Sequence, residues 1–362
     1  MDSIQTYTCP CCGAGLSYDG SAESLHCASC GNDFSVETLK QSDAADKQTA
    51  GKNAYDWTHY KPRVFAEAES GGLCTYSCPA CAAEITGSDA MGATVCPYCG
   101  GAAVVKKKFE GAFRPDYIVP FKLDKEAAMA RFENACAQAP FLPDAFKDKR
   151  KIEEMSGVYV PFWMFDCVCD ANITYRGERV RAWSDSNYNY VKTDHYKILR
   201  AGSLGFENLP VDASKKADDA YMDALEPYHL SEAVQFDAGY LAGFFADKYD
   251  VDADACEPRA NERVKNTTEA MFASTVKGFS GVRTERSNIG FSDGKIRYCL
   301  LPVWMLNIAY NGETYKYAVN GQTGKVVGKY PVCKSKRNRY FAKVFGIGVA
   351  VMAVAAVLFT LL

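Results

Sequence analysis

Sixteen cysteines are many for a chain of 362 residues, and eight of them form four C-x-x-C pairs. Cys9 and Cys12 are followed, after fourteen residues, by Cys27 and Cys30; Cys78 and Cys81 are followed at the same interval by Cys96 and Cys99. Such a pair puts two sulfurs on one tight turn with backbone N–H groups aimed at them. Two turns on facing hairpins then complete a tetrahedron of thiolates around a metal ion. Gly13, Gly31 and Gly100 follow three of the pairs, where a positive φ helps close the turn, whereas Ala82 stands at that place in the fourth. Each quartet therefore reads as one structural Zn2+ site, two in all, with four sulfurs and no open position for catalysis. Iron would accept the same ligands. A redox pair fits less well, because it usually comes singly at a helix start. Cys11 and His26, beside the ligands, read as bystanders.

Little else in the chain is arranged for chemistry. Its four histidines, His26, His59, His195 and His229, belong to no metal-protease pattern, and no glycine-rich phosphate loop is present. The expectation is a protein that is not an enzyme. The acidic stretch from Asp247 to Glu257 and the run Lys106–Lys108 read as solvated loops. With 44 acidic against 41 basic residues the net charge is −3, which excludes a global field that would draw in nucleic acid. Residues 1–50 carry seven acidic and two basic side chains, so the first cysteine module would repel phosphates. Nucleic acid is not the expected partner, although zinc ribbons elsewhere bind it, and an anchored nucleic-acid regulator is the alternative reading.

The elements that must position these cysteines suggest several domains. Residues 1–38 form the first ribbon, 39–73 a polar linker with a short helix near Arg63–Glu69, and 74–105 the second ribbon. An α+β domain with antiparallel hairpins follows over 113–333. Asp124 caps a helix that ends before Pro140, the strand from Tyr159 turns at Arg176–Gly177, and residues 212–280 read mostly helical. VPFWMF at Val160–Phe165 and LPVWML at Leu301–Leu306 hint at an internal duplication, and Asn320-Gly321 with Thr323-Gly324 marks a hairpin turn. No signal peptide opens the chain. At the other end, Val344–Leu362 runs nineteen residues without a charge after a basic segment, 334–343, holding Lys334, Lys336, Arg337, Arg339 and Lys343. That pattern predicts a C-terminal transmembrane helix whose basic flank stays cytoplasmic and touches anionic lipid. The expected location is the cell membrane, single-pass, with the bulk of the chain in the cytoplasm.

Taken together, the paired ribbons, VPFW, LPVWML, VNGQTGKVVG, the basic stretch and the terminal helix resemble membrane-anchored bacterial double zinc-ribbon proteins. These are often labelled TFIIB-type zinc-ribbon or PriA-helicase-like, and some are associated with SPFH-domain scaffolds and phage-shock-A-like proteins of the membrane stress response. The resemblance implies an adaptor that recruits cytosolic or membrane-scaffold proteins. It implies no catalytic residue, and the helicase label gains nothing, since motor motifs are missing. The eight cysteines match the ribbon pattern in full.

Overall fold

The computed structural model describes residues 7–10, 14–20, 22–29, 31–41, 55–66, 72–88, 95–101, 105–108 and 113–361, with backbone alone at 88, 105–108, 113 and 354–361. In chain order the strands are β1 (Ser17–Asp19), β2 (Ser24–His26), β3 (Asp33–Phe34), β4 (Tyr55–Trp57), β5 (Arg63–Val64), β6 (Leu73–Ser77), β7 (Glu84–Ser88), β8 (Val105–Lys108), β9 (Phe113–Arg114) and β10 (Tyr117–Ile118). There follow β11 (Ser156–Ser184), β12 (Asn189–Asp212), β13 (Val234–Gln235), β14 (Phe245–Asp247), β15 (Ser280–Tyr310), β16 (Glu313–Asn320) and β17 (Val326–Gly328). They fall into two compact units that cut across the boundaries drawn from sequence. The first takes Met1–Tyr60, Met164–Pro210 and Glu257–Ile296; the second takes Lys61–Trp163, Val211–Cys256 and Arg297–Leu362.

In the first unit, β1, β2 and β3 make a small antiparallel sheet. Elsewhere in that unit, β4 lies parallel to β15, with Tyr55 against Phe291 and Trp57 against Gly294. Gly294 is required there: a Cβ would meet the Trp57 ring at 2.4 Å. Trp57 packs edge-on against Phe165 and Phe291, centroids 4.8 and 4.5 Å away, and its indole N–H donates to Asn261 Oδ1 at 2.8 Å. Asn261 belongs to the helix Ala253–Ser274.

The second unit is built on a mixed sheet. β15 runs parallel to β10 and antiparallel to β16, and β16 to β17; β11 runs parallel to β14, which pairs with β7, β7 with β6, and β6 with β8. The helix Lys125–Ala137 begins where Asp124 accepts a hydrogen bond from the Ala127 N–H at 2.8 Å. It buries Ala128, Phe132 and Cys136 in a core with Trp304, Leu306, Ile308, Tyr317 and Val319 from alternating positions of β15 and β16. The tryptophans of the two repeated motifs, Trp163 and Trp304, are both buried, and each donates to a backbone carbonyl, of Val251 at 2.9 Å and of Leu123 at 3.0 Å.

Several expectations are corrected. The fold is mostly strand, organised around a large mixed sheet rather than an α+β domain of antiparallel hairpins with an anchor. No turn forms at Arg176–Gly177, because β11 continues to Ser184. Gly177 is explained instead by close approach, since a Cβ would lie 3.0 Å from both Ile198 and Phe279. The linker helix near Arg63–Glu69 is replaced at Arg63–Val64 by β5 paired with β9, residues 67–71 lying outside the described residues. The membrane anchor and the membrane location are corrected as well: among the described residues no helix is long and apolar enough to cross a membrane. The helix Lys334–Leu361 spends its first turns on the five basic residues. Lys336 is engaged by protein, donating to Asp144 Oδ1 at 2.6 Å and to the Leu142 carbonyl at 2.9 Å.

Candidate metal centre

The second cysteine quartet assembles as the spacing requires. Cys78 follows the end of β6, Cys81 lies in the turn before β7, and Cys96 and Cys99 share the turn after Val95. The four sulfurs lie within 4.8 Å of one another and so can hold one metal ion. Cys78 Sγ is 3.7 Å from Cys99 Sγ, and Cys81 Sγ is 3.7 Å from Cys96 Sγ. Cys78 and Cys96 are buried, Cys99 is half-buried and Cys81 is exposed, which leaves one edge of the cluster in solvent.

Both turns close with the same backbone bonds. The N–H of Cys78 donates to the Ala83 carbonyl at 2.8 Å and that of Cys96 to the Gly101 carbonyl at 2.9 Å. In return the Ala82 and Gly100 N–H groups donate to the carbonyls of Cys78 and Cys96, at 2.9 and 2.8 Å. This bond pattern needs a positive φ at the fourth residue after the leading cysteine, and Gly100 has 71° while Ala82 has 55°. Gly100 meets a second demand, since a Cβ there would approach Asn307 Cβ to 3.2 Å. For Ala82 the left-handed region costs about 1–2 kcal/mol, part of which glycine's larger unfolded-state entropy would offset. Ala82→Gly is therefore expected to stabilise the protein by about 0.5–1 kcal/mol, read as a higher urea midpoint at fixed metal concentration. A lower midpoint would show that the turn tolerates alanine without strain.

The sulfurs are not equivalent. Burial pushes the Cys78 thiol up, but the N–H groups of Cys81 and Ala80 and the neighbouring Cys99 and Cys81 thiols outweigh it, bringing Cys78 down to about 7. Burial holds Cys81 and Cys96 above the ordinary thiol range. Cys78 thus ionises before Cys81 and Cys96, and a cation bound there would supply the charge that lets them follow.

The centre is tied into the second unit by residues that no motif singles out. Tyr98, between Cys96 and Cys99, is buried and donates its hydroxyl to Asp247 Oδ2 at 2.7 Å. Asp247, at the end of β14, also accepts from Ser214 Oγ at 2.8 Å and Lys216 Nζ at 3.1 Å. The Pro97 carbonyl accepts from Asn307 Nδ2 at 2.7 Å. The acidic stretch expected to be a solvated loop therefore begins with a carboxylate that is 2% exposed. The only sequence clue was its place between the aromatic residues Phe245 and Tyr249.

For the first quartet the described residues are fewer. Cys9 and Cys27 are buried, while Cys12 and Cys30 lie outside the described residues. The turn bonds repeat, with Cys9 N–H on the Ala14 carbonyl at 2.7 Å, Cys27 N–H on the Asn32 carbonyl at 2.9 Å, and Gly31 N–H on the Cys27 carbonyl at 2.8 Å. Gly31 has φ 72°. His26 bonds Asp33 Oδ1 through Nδ1 at 2.7 Å. His195 pairs with Glu178 at 3.3 Å, and the His229 N–H donates to Gln322.

The sheet order and the embedded cysteine centre can be set beside known proteins. The chain is 32% identical over 343 residues to the uncharacterized protein YdjG of Bacillus subtilis (strain 168), and the match covers 95% of each chain. The chain belongs to the YdjG family. No family profile and no solved structure matches it.

Proposed function

We propose that this YdjG-family chain is a non-catalytic adaptor whose two ribbons are each shaped by a structural Zn2+ ion and present folded surfaces to protein partners. The observation that carries the reading is the 3.7 Å separation of Cys78 from Cys99 and of Cys81 from Cys96. A tetrahedron with Zn–S bonds of about 2.3 Å has edges of about 3.8 Å. Four thiolates leave no coordination position for substrate or water, which suits a structural ion. The same turn bonds at Cys9 and Cys27 support a second ion held by Cys9, Cys12, Cys27 and Cys30. The first ribbon has its own sheet and an exposed outer strand, β1, which suits it to contact a partner.

Elemental analysis of the purified full chain is expected to give about two zinc per chain, following from two complete ligand sets. Cys9→Ser and Cys96→Ser are each expected to lower this by one. One ion or none in a folded wild-type chain would refute the two-site arrangement. The adaptor role is tested by removing residues 1–41 while keeping β6–β8, which belong to the large sheet. The shortened chain is expected to keep its fold and one zinc and to lose proteins that co-purify with the full chain. A co-purifying set unchanged by the deletion, or one that nuclease removes entirely, would overturn this reading.

A further inference from the structure

The outer strand of the long hairpin has an open edge. Among the described residues β12 pairs with β11 alone. The hairpin closes where the Asp185 N–H donates to the Tyr188 carbonyl at 2.9 Å, while Asp185 Oδ1 accepts the Asn187 and Tyr188 N–H groups, both at 2.8 Å. Antiparallel alternation from that closing pair turns the backbone groups of Tyr190, Lys192 and Asp194 towards β11. Those of Val191, Thr193 and His195 are left facing the open edge.

Side-chain contacts fix the two faces. Trp183 stacks on Tyr190 at 5.5 Å and 13°, Arg181 reaches Asp194 at 3.5 Å, and Arg179 lies 5.1 Å from the Tyr196 ring. Tyr190, Lys192, Asp194 and Tyr196 therefore share one face. His195 pairs with Glu178 at 3.3 Å on the other, with Val191 and Thr193. Large apolar groups stay uncovered on both faces: Trp183 is 52% exposed, Tyr188 67% and Val191 68%.

Read outwards from Thr193, this strand is complementary to itself. Lys192 and Asp194, which pair with each other within the chain at 3.0 Å, flank Thr193 at equal distance with opposite charge, and Tyr190 and Tyr196 flank them in turn. We propose that residues 190–196 pair antiparallel with the same segment of a second copy of this chain, about a twofold axis through Thr193. In that register the outward N–H and C=O of Thr193 exchange two hydrogen bonds with their counterparts. Lys192 faces the second copy's Asp194 and Tyr190 faces its Tyr196, each twice by symmetry. Moving the axis to Lys192 would set lysine against lysine, and moving it to Asp194 would set aspartate against aspartate, so charge selects the central register. Open edges are commonly blocked by a like-charged or proline-bearing strand; here the charges invite one partner, the same strand reversed.

The test is sedimentation velocity of the full metal-loaded chain over rising concentration. A reversible dimer is expected. Thr193→Pro removes an N–H that faces only the open edge, and Lys192→Glu sets two like charges opposite each other at both ends of the pair. Each is expected to weaken the dimer by about tenfold or more. Combining Lys192→Glu with Asp194→Lys restores opposite charges and is expected to recover it, which decides the matter even if Thr193→Pro fails to fold. A monomer at every concentration would overturn the proposal and leave the exposed aromatic face to another macromolecule. A dimer indifferent to Lys192→Glu would overturn it too, by placing the contact elsewhere.

Discussion

Taking the metal from Cys78, Cys81, Cys96 and Cys99 is expected to unfold more than a ribbon. An isolated ribbon of this length depends on its ion, whose binding contributes about 10–16 kcal/mol in small zinc peptides. That compares with about 5–15 kcal/mol for the stability of a whole domain. In this chain the ribbon strands do not stand apart. β7 pairs with β14 through Thr86–Ala246 and Ile85–Asp247, Tyr98 is buried against Asp247, and Tyr76 packs edge-on against Phe245 at 5.7 Å. Chelation, or Cys96→Ser, is accordingly expected to cost several kcal/mol and to expose the amides of β14 and β7 to hydrogen exchange together. Retained protection at Ala246 and Asp247 after metal loss would show that the sheet holds without the centre. Acid should act in the same direction, because protons compete with the metal for the thiolates.

The second large effect is expected at Lys216. Its ammonium lies 3.1 Å from the buried Asp247 carboxylate and 3.6 Å from Asp250. Removing one partner of a buried pair typically costs about 3–5 kcal/mol, and Lys216→Met should fall in that range at neutral pH. The penalty should depend on pH with a defined sign. Burial raises the pKa of Asp247 above 3.8, and the Lys216 charge with the Tyr98 and Ser214 hydrogen bonds opposes that rise. A carboxyl whose folded pKa exceeds its unfolded value binds its proton more tightly in the fold. The stability this lends is whole below the unfolded value and is lost as pH rises through the folded one. Without Lys216 the folded value moves further up, so the variant should be weakest at neutral pH and regain stability towards acid. Urea midpoints measured from about pH 4 to about pH 8 would show this, and a penalty independent of pH would remove Asp247 from the explanation. Lys216→Met combined with Asp247→Asn should recover much of the loss, since no buried charge is then left alone.

The features legible in the sequence are those fixed by neighbours in the chain. The cysteine turns, the helix capped by Asp124 and the hairpin of β16 and β17 are set by residues a few places apart, and the glycine following a knuckle announces its own φ. Gly177 misled because glycine serves two ends, turning a chain or admitting a neighbour, and only the positions of Ile198 and Phe279 tell which. Asp247 misled for a related reason. Its partners Tyr98, Ser214 and Lys216 come from two distant stretches, and a run of acidic residues carries no mark of which one will be buried. The C-terminal run was judged on the absence of charge over nineteen residues, whereas among the described residues no helix is long and apolar enough to cross a membrane.

The two compact units are threaded by one chain that passes between them at Tyr60/Lys61, Trp163/Met164, Pro210/Val211, Cys256/Glu257 and Ile296/Arg297. On the ribosome this has a cost in time. The first unit cannot be complete before Ile296 has emerged, and the second waits for the strands beyond Arg297. A chain made at about 5–20 residues per second thus carries unfinished strands, β11 among them, for on the order of ten seconds or more. Nascent chains halted after β12 should accordingly be sensitive to protease throughout, and those released after β17 resistant. The quartet Cys78, Cys81, Cys96 and Cys99 has emerged long before β14, the strand that β7 pairs with.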